Sequence, residues 1–211
     1  MLLAIDTSAG TSVAIVDRDG GILSEYSSTD TRRHAEVIGD LILACLTESG
    51  VAVSALSGVV AGMGPGPFTG LRVGIAAARA FALGVGKLII PAVSHDAIAF
   101  GRTGRTLVAT DARRHEVYWS TYSGTDAAGL PVRLTGPRLS RAGDLETTVE
   151  EFESFTLVEA TTVSAGALGM LVETMYSQGR RFADSFDGHP GPLYLRSPDV
   201  TLSNGPKRVT S

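Results

Sequence analysis

Asp6, Thr7 and Ser8 close an apolar run that begins at Leu2, and Thr11 and Ser12 open the next one. One carboxylate and four hydroxyls in a short hairpin could hold nucleotide phosphates, with Asp6 contacting a metal-bound water. The same residue types also satisfy a turn through side-chain to backbone hydrogen bonds, and the spacing leaves both readings open. A second candidate is the stretch from Gly62 to Gly74, dense in glycine and proline, which follows the apolar Val59-Val60-Ala61 and leads into an alanine-rich helix. Such a strand-to-helix turn lets backbone approach a ligand or another chain closely. Its N–H groups could bind an anion, while glycine spacing by itself is equally what a tight packing turn requires.

The remaining reactive residue types point away from catalysis. A metal site on one helix face needs a second ligand one turn on, but Ile38 follows His34 and Ala99 follows His95 at that spacing. His115 sits in an expected hairpin and His189 in a Pro/Gly loop, so structural or solvated roles are expected for all four histidines. Cys45 is the only cysteine, which excludes a disulfide within the chain. It shares a helical stripe with Ile38, Leu41 and Ile42 and is expected to be buried rather than reactive. Neither a Ser/His/Asp pattern nor a His-Glu-x-x-His motif supports a peptidase.

The elements that must position these residues follow from hydrophobic periodicity. Strands are expected over 2–6, 12–17 and 22–27, then a helix over 34–49, a strand over 58–61, a helix over 71–84, a strand over 88–93, and a short helix through Phe100 with Ser94 as its cap. After Gly101-Arg102-Thr103-Gly104 the pattern restarts. Leu107 to Asp111 and Glu116 to Tyr122 repeat the opening order of apolar strand, aspartate, polar loop and strand. A strand over 132–139, a helix over 142–152, a strand over 155–159 and a helix over 164–178 complete the reading. The expected fold is α/β, with two related lobes, each a mixed sheet flanked by helices, at 1–103 and 104–200, and a flexible tail over 201–211.

Size and charge bound the partners. The 211 residues suffice for two small cores, and a net charge of −4 argues against a chain that grips nucleic acid by itself. The N-terminal segment reaches Asp6 too early for a signal peptide, and the apolar stretch Ala76 to Ile90 is broken by Arg79 and Lys87, so a cytoplasmic location without membrane insertion is expected.

Ala4-Ile5-Asp6-Thr7-Ser8, the loop from Gly64 to Gly74, Asp111-Ala112-Arg113-Arg114 with Glu116-Val117-Tyr118-Trp119, and Pro192-Leu193-Tyr194-Leu195-Arg196 together resemble the TsaB (YeaZ) family. They occur in that family's order nearly end to end, with Pro67 replacing a small serine. The resemblance implies an actin-like ATPase (ASKHA, RNase H-like) fold. It also implies a noncatalytic role in bacterial tRNA threonylcarbamoyladenosine modification, binding and activating the paralogous transferase TsaD together with the ATPase TsaE. In TsaD two histidines stand at i and i+4 where this chain has His95 and Ala99. The resemblance further implies docking on TsaD, or a homodimer in its absence, through the first two helices, with tRNA reached only through the complex. The expected contact residues there are Ile38, Leu41, Ile42 and Cys45 on the first helix and Leu71, Val73, Gly74, Ala77, Ala78 and Phe81 on the second. No catalytic residue and no metal ligand is assigned. The isolated chain requires no cofactor on this reading, while ATP or ADP with magnesium is compatible with the complex.

The competing reading is an actin-like ATPase or phosphotransferase that uses Asp6, and Asp111 after it, around a magnesium nucleotide, with Thr7, Ser8, Thr11 and Ser12 as a phosphate loop. Ser164-Ala165-Gly166-Ala167-Leu168-Gly169 would then be the remnant of an adenosine-binding segment.

Overall fold

The computed structural model describes residues 1–182, 186 and 191–196. The expected tail over 201–211 and His189 lie outside the described residues. The elements are β1 (Leu2–Asp6), β2 (Thr11–Asp17), β3 (Gly21–Ser28), α1 (His34–Ser49), β4 (Gly58–Gly62), α2 (Phe68–Gly84), β5 (Leu88–Ala92) and α3 (Ser94–Ala99), followed by β6 (Thr106–Asp111), β7 (Glu116–Thr125), β8 (Pro131–Arg141), α4 (Leu145–Thr148), β9 (Thr156–Ala160) and α5 (Ala165–Ser177).

Two sheets result, with orders β3-β2-β1-β4-β5 and β8-β7-β6-β9. In each, the first three strands form an antiparallel meander and the next pairs parallel to the first, β1 with β4 and β6 with β9. The second sheet therefore repeats the order of the first, and Asp6 and Asp111 end equivalent strands.

The central strands of the first sheet are buried on both faces, and alternate residues serve different layers. Leu3, Ile5, Val13, Ile15 and Val59 face α1 and α2, meeting Ile38, Cys45, Leu71, Ile75 and Ala78. Leu2, Ala4, Ala14, Val16 and Val60 face the other way and meet Leu168 and Val172 of α5 and Ala97 of α3. Thus α5, though late in the chain, packs on the first sheet. The second sheet keeps a smaller core of Leu107, Trp119, Leu145 and Val149.

Two helical expectations are corrected. The helix expected over 142–152 shrinks to a 3₁₀ turn and the four residues of α4. Gly143 and the β-branched run Thr147-Thr148-Val149 disfavour propagation, and both threonine hydroxyls donate to Asp144 O, at 3.0 and 2.7 Å. Conversely α2 begins at Phe68 rather than Leu71, because Pro67 supplies an extended entry and Leu71 N–H already bonds Pro67 O at 3.0 Å. Among the described residues no helix is long and apolar enough to cross a membrane.

Candidate functional site

The hairpin after β1 folds inward. Asp6 Oδ1 accepts from Ser8 N–H at 2.8 Å and from the Ser8 hydroxyl at 2.6 Å, and Oδ2 accepts from Ser94 Oγ at 2.5 Å. Ser94 Oγ in turn accepts from Gly64 N–H at 3.0 Å. Ser94 is therefore not the cap expected from its position; that place falls to Val93, which makes no side-chain cap. The Ser94 hydroxyl ties α3 to β1 and to the Gly/Pro loop instead. Burial pushes the Asp6 carboxyl above its ordinary value, and the bonds from Ser8 and Ser94 pull against that. A side chain at Gly62 would run into this carboxylate, which accounts for glycine at the end of β4.

The other hydroxyls are equally committed. Thr7 Oγ1 donates to Gly70 O at 2.8 Å and accepts from Gly74 N–H at 3.1 Å, bridging two residues one turn apart on α2. A Cβ at Gly74 would collide with that threonine. Thr11 Oγ1 meets His34 Nδ1 at 2.7 Å. Ser12 Oγ donates to Glu25 Oε1 at 3.0 Å and accepts from Ala165 N–H at 3.1 Å. Asp6, Thr7, Ser8, Thr11 and Ser12 are all buried. The glycines of the loop thus bring α2 against the β1–β2 hairpin, and the hairpin's polar atoms bond protein partners. The Ser164 to Gly169 segment also serves packing: a Cβ at Gly169 would stand 2.7 Å from Val16, so this glycine seats α5 on β2.

What stays open is a cleft of about 710 Å³ between the start of α1, the start of α2 and the β6–β7 turn. His34, Phe68, Arg113, Tyr118 and Arg196 line it. Burial, and then the neighbouring Arg113 guanidinium, lower the His34 pKa and favour neutral imidazole. The turn on its far side is strained: Arg113, Arg114 and His115 have φ of 61, 54 and 61°, a left-handed run without glycine. No local sequence signal announced that strain.

His95 is sealed between the two sheets. Nδ1 meets Ser120 Oγ at 2.8 Å and Nε2 meets Thr110 Oγ1 at 3.0 Å. Burial pushes its pKa down to about 3, so the ring is neutral. Its neighbour Asp96 accepts from Tyr122 OH at 2.8 Å and faces Arg133 Nε at 3.5 Å. Among the described residues, no three of His, Cys, Asp and Glu gather where they could hold a metal ion.

The ten residues expected on the docking surface divide by burial. Ile38, Cys45, Leu71, Gly74 and Ala78 face the chain's own core and are unavailable to a partner, whereas Leu41, Ile42, Val73, Ala77 and Phe81 are half-buried. Cys45 Sγ donates to Val13 O at 3.1 Å, and burial raises its thiol pKa. The outward stripes are instead Ala35, Gly39 and Leu43 on α1 and Ala76, Ala80 and Leu83 on α2, with Leu43 65 % and Leu83 84 % exposed. Their spacing of three and four was legible in the sequence; which of several small faces points outward was not.

Residues 6–130 match the family model described as TsaD, tRNA N6-adenosine threonylcarbamoyltransferase. An uncharacterised protein of Mycobacterium leprae is 41 % identical over 150 residues, 69 % of this chain and 40 % of that one. The tRNA threonylcarbamoyladenosine biosynthesis protein TsaB of Escherichia coli is 32 % identical over 126 residues, 57 % of this chain and 54 % of its own length. The match with these relatives thus spans only about half of each relative's length. A solved Pseudomonas aeruginosa structure, described as an uncharacterised protein with similarity to the peptidase YeaZ, superposes with a TM-score of 0.74 at 24 % identity, covering 92 % of this chain and 99 % of that one. It shares the two-lobed fold.

Proposed function

We propose that this chain, which belongs to the TsaB (YeaZ) family, takes part in tRNA threonylcarbamoyladenosine biosynthesis as a noncatalytic subunit that docks on a TsaD-type transferase. The observation that carries the docking is the outward face of α1 and α2. Leu43 and Leu83 are large, apolar and largely solvent-exposed, and alanines and a glycine beside them let another pair of helices approach closely. Such a face buries favourably against the equivalent helices of a related chain. In the partner's absence, a second copy of this chain would fill the same role.

The commitment of Asp6 and its neighbouring hydroxyls to protein hydrogen bonds supports a scaffolding role for the hairpin over phosphoryl transfer. ATP or ADP with magnesium, and TsaE, would enter through the assembled complex. The test is co-elution of the purified chain with a TsaD-type transferase in size-exclusion chromatography, with Ala80→Trp as the disrupting variant. Loss of co-elution with an unchanged melting temperature is expected. A wild-type chain that never associates with the transferase, or an Ala80→Trp chain that associates as tightly as wild type, would sink this reading.

A further inference from the structure

The docking face leaves unused a strip of arginines on the rim of the cleft beside α2. Arg32, Arg113 and Arg196 line that cleft, and Arg196 is shared with a neighbouring one of about 570 Å³ that is also lined by Arg114 and Arg141. Among the described residues Glu116 is the one carboxylate on the two linings, and it is paired with Arg196, which also donates to Ala112 O at 3.1 Å. Arg32, Arg113 and Arg141 are exposed and make no ion pair among the described residues. Asp30 Oδ1 accepts from Arg32 N–H at 2.9 Å and Asp111 stands beside Arg113. Among the described residues five arginines thus meet three carboxylates here, a local excess of positive charge on a chain of net charge −4.

The turn that carries Arg113 and Arg114 spends backbone strain, on the order of 1 kcal/mol or more for each left-handed residue, and holds it with a bond from Arg113 N–H to Asp111 Oδ1 at 2.8 Å. The adjoining cleft has an aromatic wall. Phe68, half-buried, and the buried Tyr118 both line it, and the Phe68 ring stands 4.8 Å from that of Tyr194 and 5.1 Å from the Arg72 guanidinium.

We propose that this strip binds the phosphate backbone of single-stranded RNA, with guanidinium groups on successive phosphates and an unpaired base in the cleft against Phe68. Guanidinium forks suit phosphate oxygens, and cations beside an aromatic platform fit splayed bases rather than a closed duplex. A mononucleotide would occupy one cleft, whereas the arginines run on past Arg196 into the second. The proposal rests on the assignment to a tRNA-modifying assembly and adds a direct RNA contact to it.

The test uses the full chain and a fluorescein-labelled oligoribonucleotide of about 12 residues, within the span one such groove engages, followed by fluorescence anisotropy over a range of KCl concentrations. Wild type should bind weakly, with an affinity that falls steeply with salt. Arg113→Glu combined with Arg141→Glu should weaken binding about tenfold at low salt and flatten the log–log salt slope by about 1.4, the share of two single-strand phosphate contacts. Arg18→Glu combined with Arg102→Glu, the same charge change placed elsewhere, should leave affinity within about twofold, since distant exposed charges are screened. Single Arg113→Gln and Arg141→Gln variants, each expected to flatten the slope by about 0.7, serve if the double variant does not fold. Equal losses in both charge-reversal pairs, no binding by wild type at low salt, or a mononucleotide that competes as well per phosphate as the oligomer would each overturn the proposal. Co-elution with the transferase is measured on the same variants. If it persists while RNA binding is indifferent to the strip, this inference fails and the docking reading stands.

Discussion

Ser94 Oγ lies 2.5 Å from Asp6 Oδ2 and donates to it, across 88 residues of chain. Through this contact the end of β1 and the start of α3 are held together, and Gly64 N–H joins them from the Gly/Pro loop. Asp6→Ala would leave Ser8 N–H and two buried hydroxyls without their acceptor, and should destabilise the fold by about 1–3 kcal/mol. Chemical denaturation measures it; a loss below that range would mean the network relaxes easily.

The same carboxyl makes stability depend on pH. Burial raises the Asp6 pKa above its ordinary 3.8, so the protonated form is the better accommodated one. Its contribution is fully present below pH 3.8 and is lost as pH rises through the raised folded value. Asp6→Asn keeps the shape without the charge. The stability difference between wild type and Asp6→Asn should therefore shift against wild type as pH rises from 3.8 toward neutrality, in a series of thermal melts. A flat difference would contradict the raised pKa.

His95 works in the opposite sense. Its pKa falls from 6.5 to about 3 on folding, so the stability that neutral His95 lends is present above pH 6.5 and is lost as pH falls through that window toward 3. One extra proton should be taken up on unfolding there. His95→Gln, which can still bond Ser120 and Thr110, should remove that proton from the pH dependence of unfolding.

Thr7 and Gly74 should behave as a coupled pair. Gly74→Ala gains roughly 1 kcal/mol of helix propensity in the abstract, yet its methyl would strike Thr7, so the single variant should destabilise. Adding Thr7→Ala opens the space. The double-mutant cycle should then give a favourable interaction energy of about 1 kcal/mol or more; additive effects would mean that the clash is relieved by backbone movement.

Ala78 and Ala80 stand two residues apart on α2 and should respond oppositely to enlargement. Ala78 is fully buried against the first sheet, so Ala78→Trp should overpack the core and unfold the chain or lower its melting temperature sharply. Ala80 is exposed, and Ala80→Trp should leave the melting temperature nearly unchanged while changing association. If both variants melt like wild type, α2 is oriented differently from the arrangement described.

The amino-acid order alone determined the strands and the two long helices, because their apolar periods of two and 3.6 are strong and local. It also determined the repeat that places Asp6 and Asp111 at equivalent strand ends. The helix expected over 142–152 was lost because threonine hydroxyls and a glycine outweighed a weak apolar stripe, a balance that local composition hardly reveals. The tertiary structure decided the rest. Whether Asp6, Thr7 and Ser12 face a ligand or one another depends on Gly70, Gly74, Ser94, Glu25 and Ala165, which are remote in sequence and brought close only by packing. Whether Ala78 or Ala80 faces a partner depends on which side of α2 meets the sheet, and a helix that is small on most sides carries too little contrast in hydrophobicity to settle that by itself. Arg32, Arg113, Arg141 and Arg196 became a strip only when the loop before α1, the β6–β7 turn, β8 and the segment carrying Arg196 were folded around two adjoining clefts.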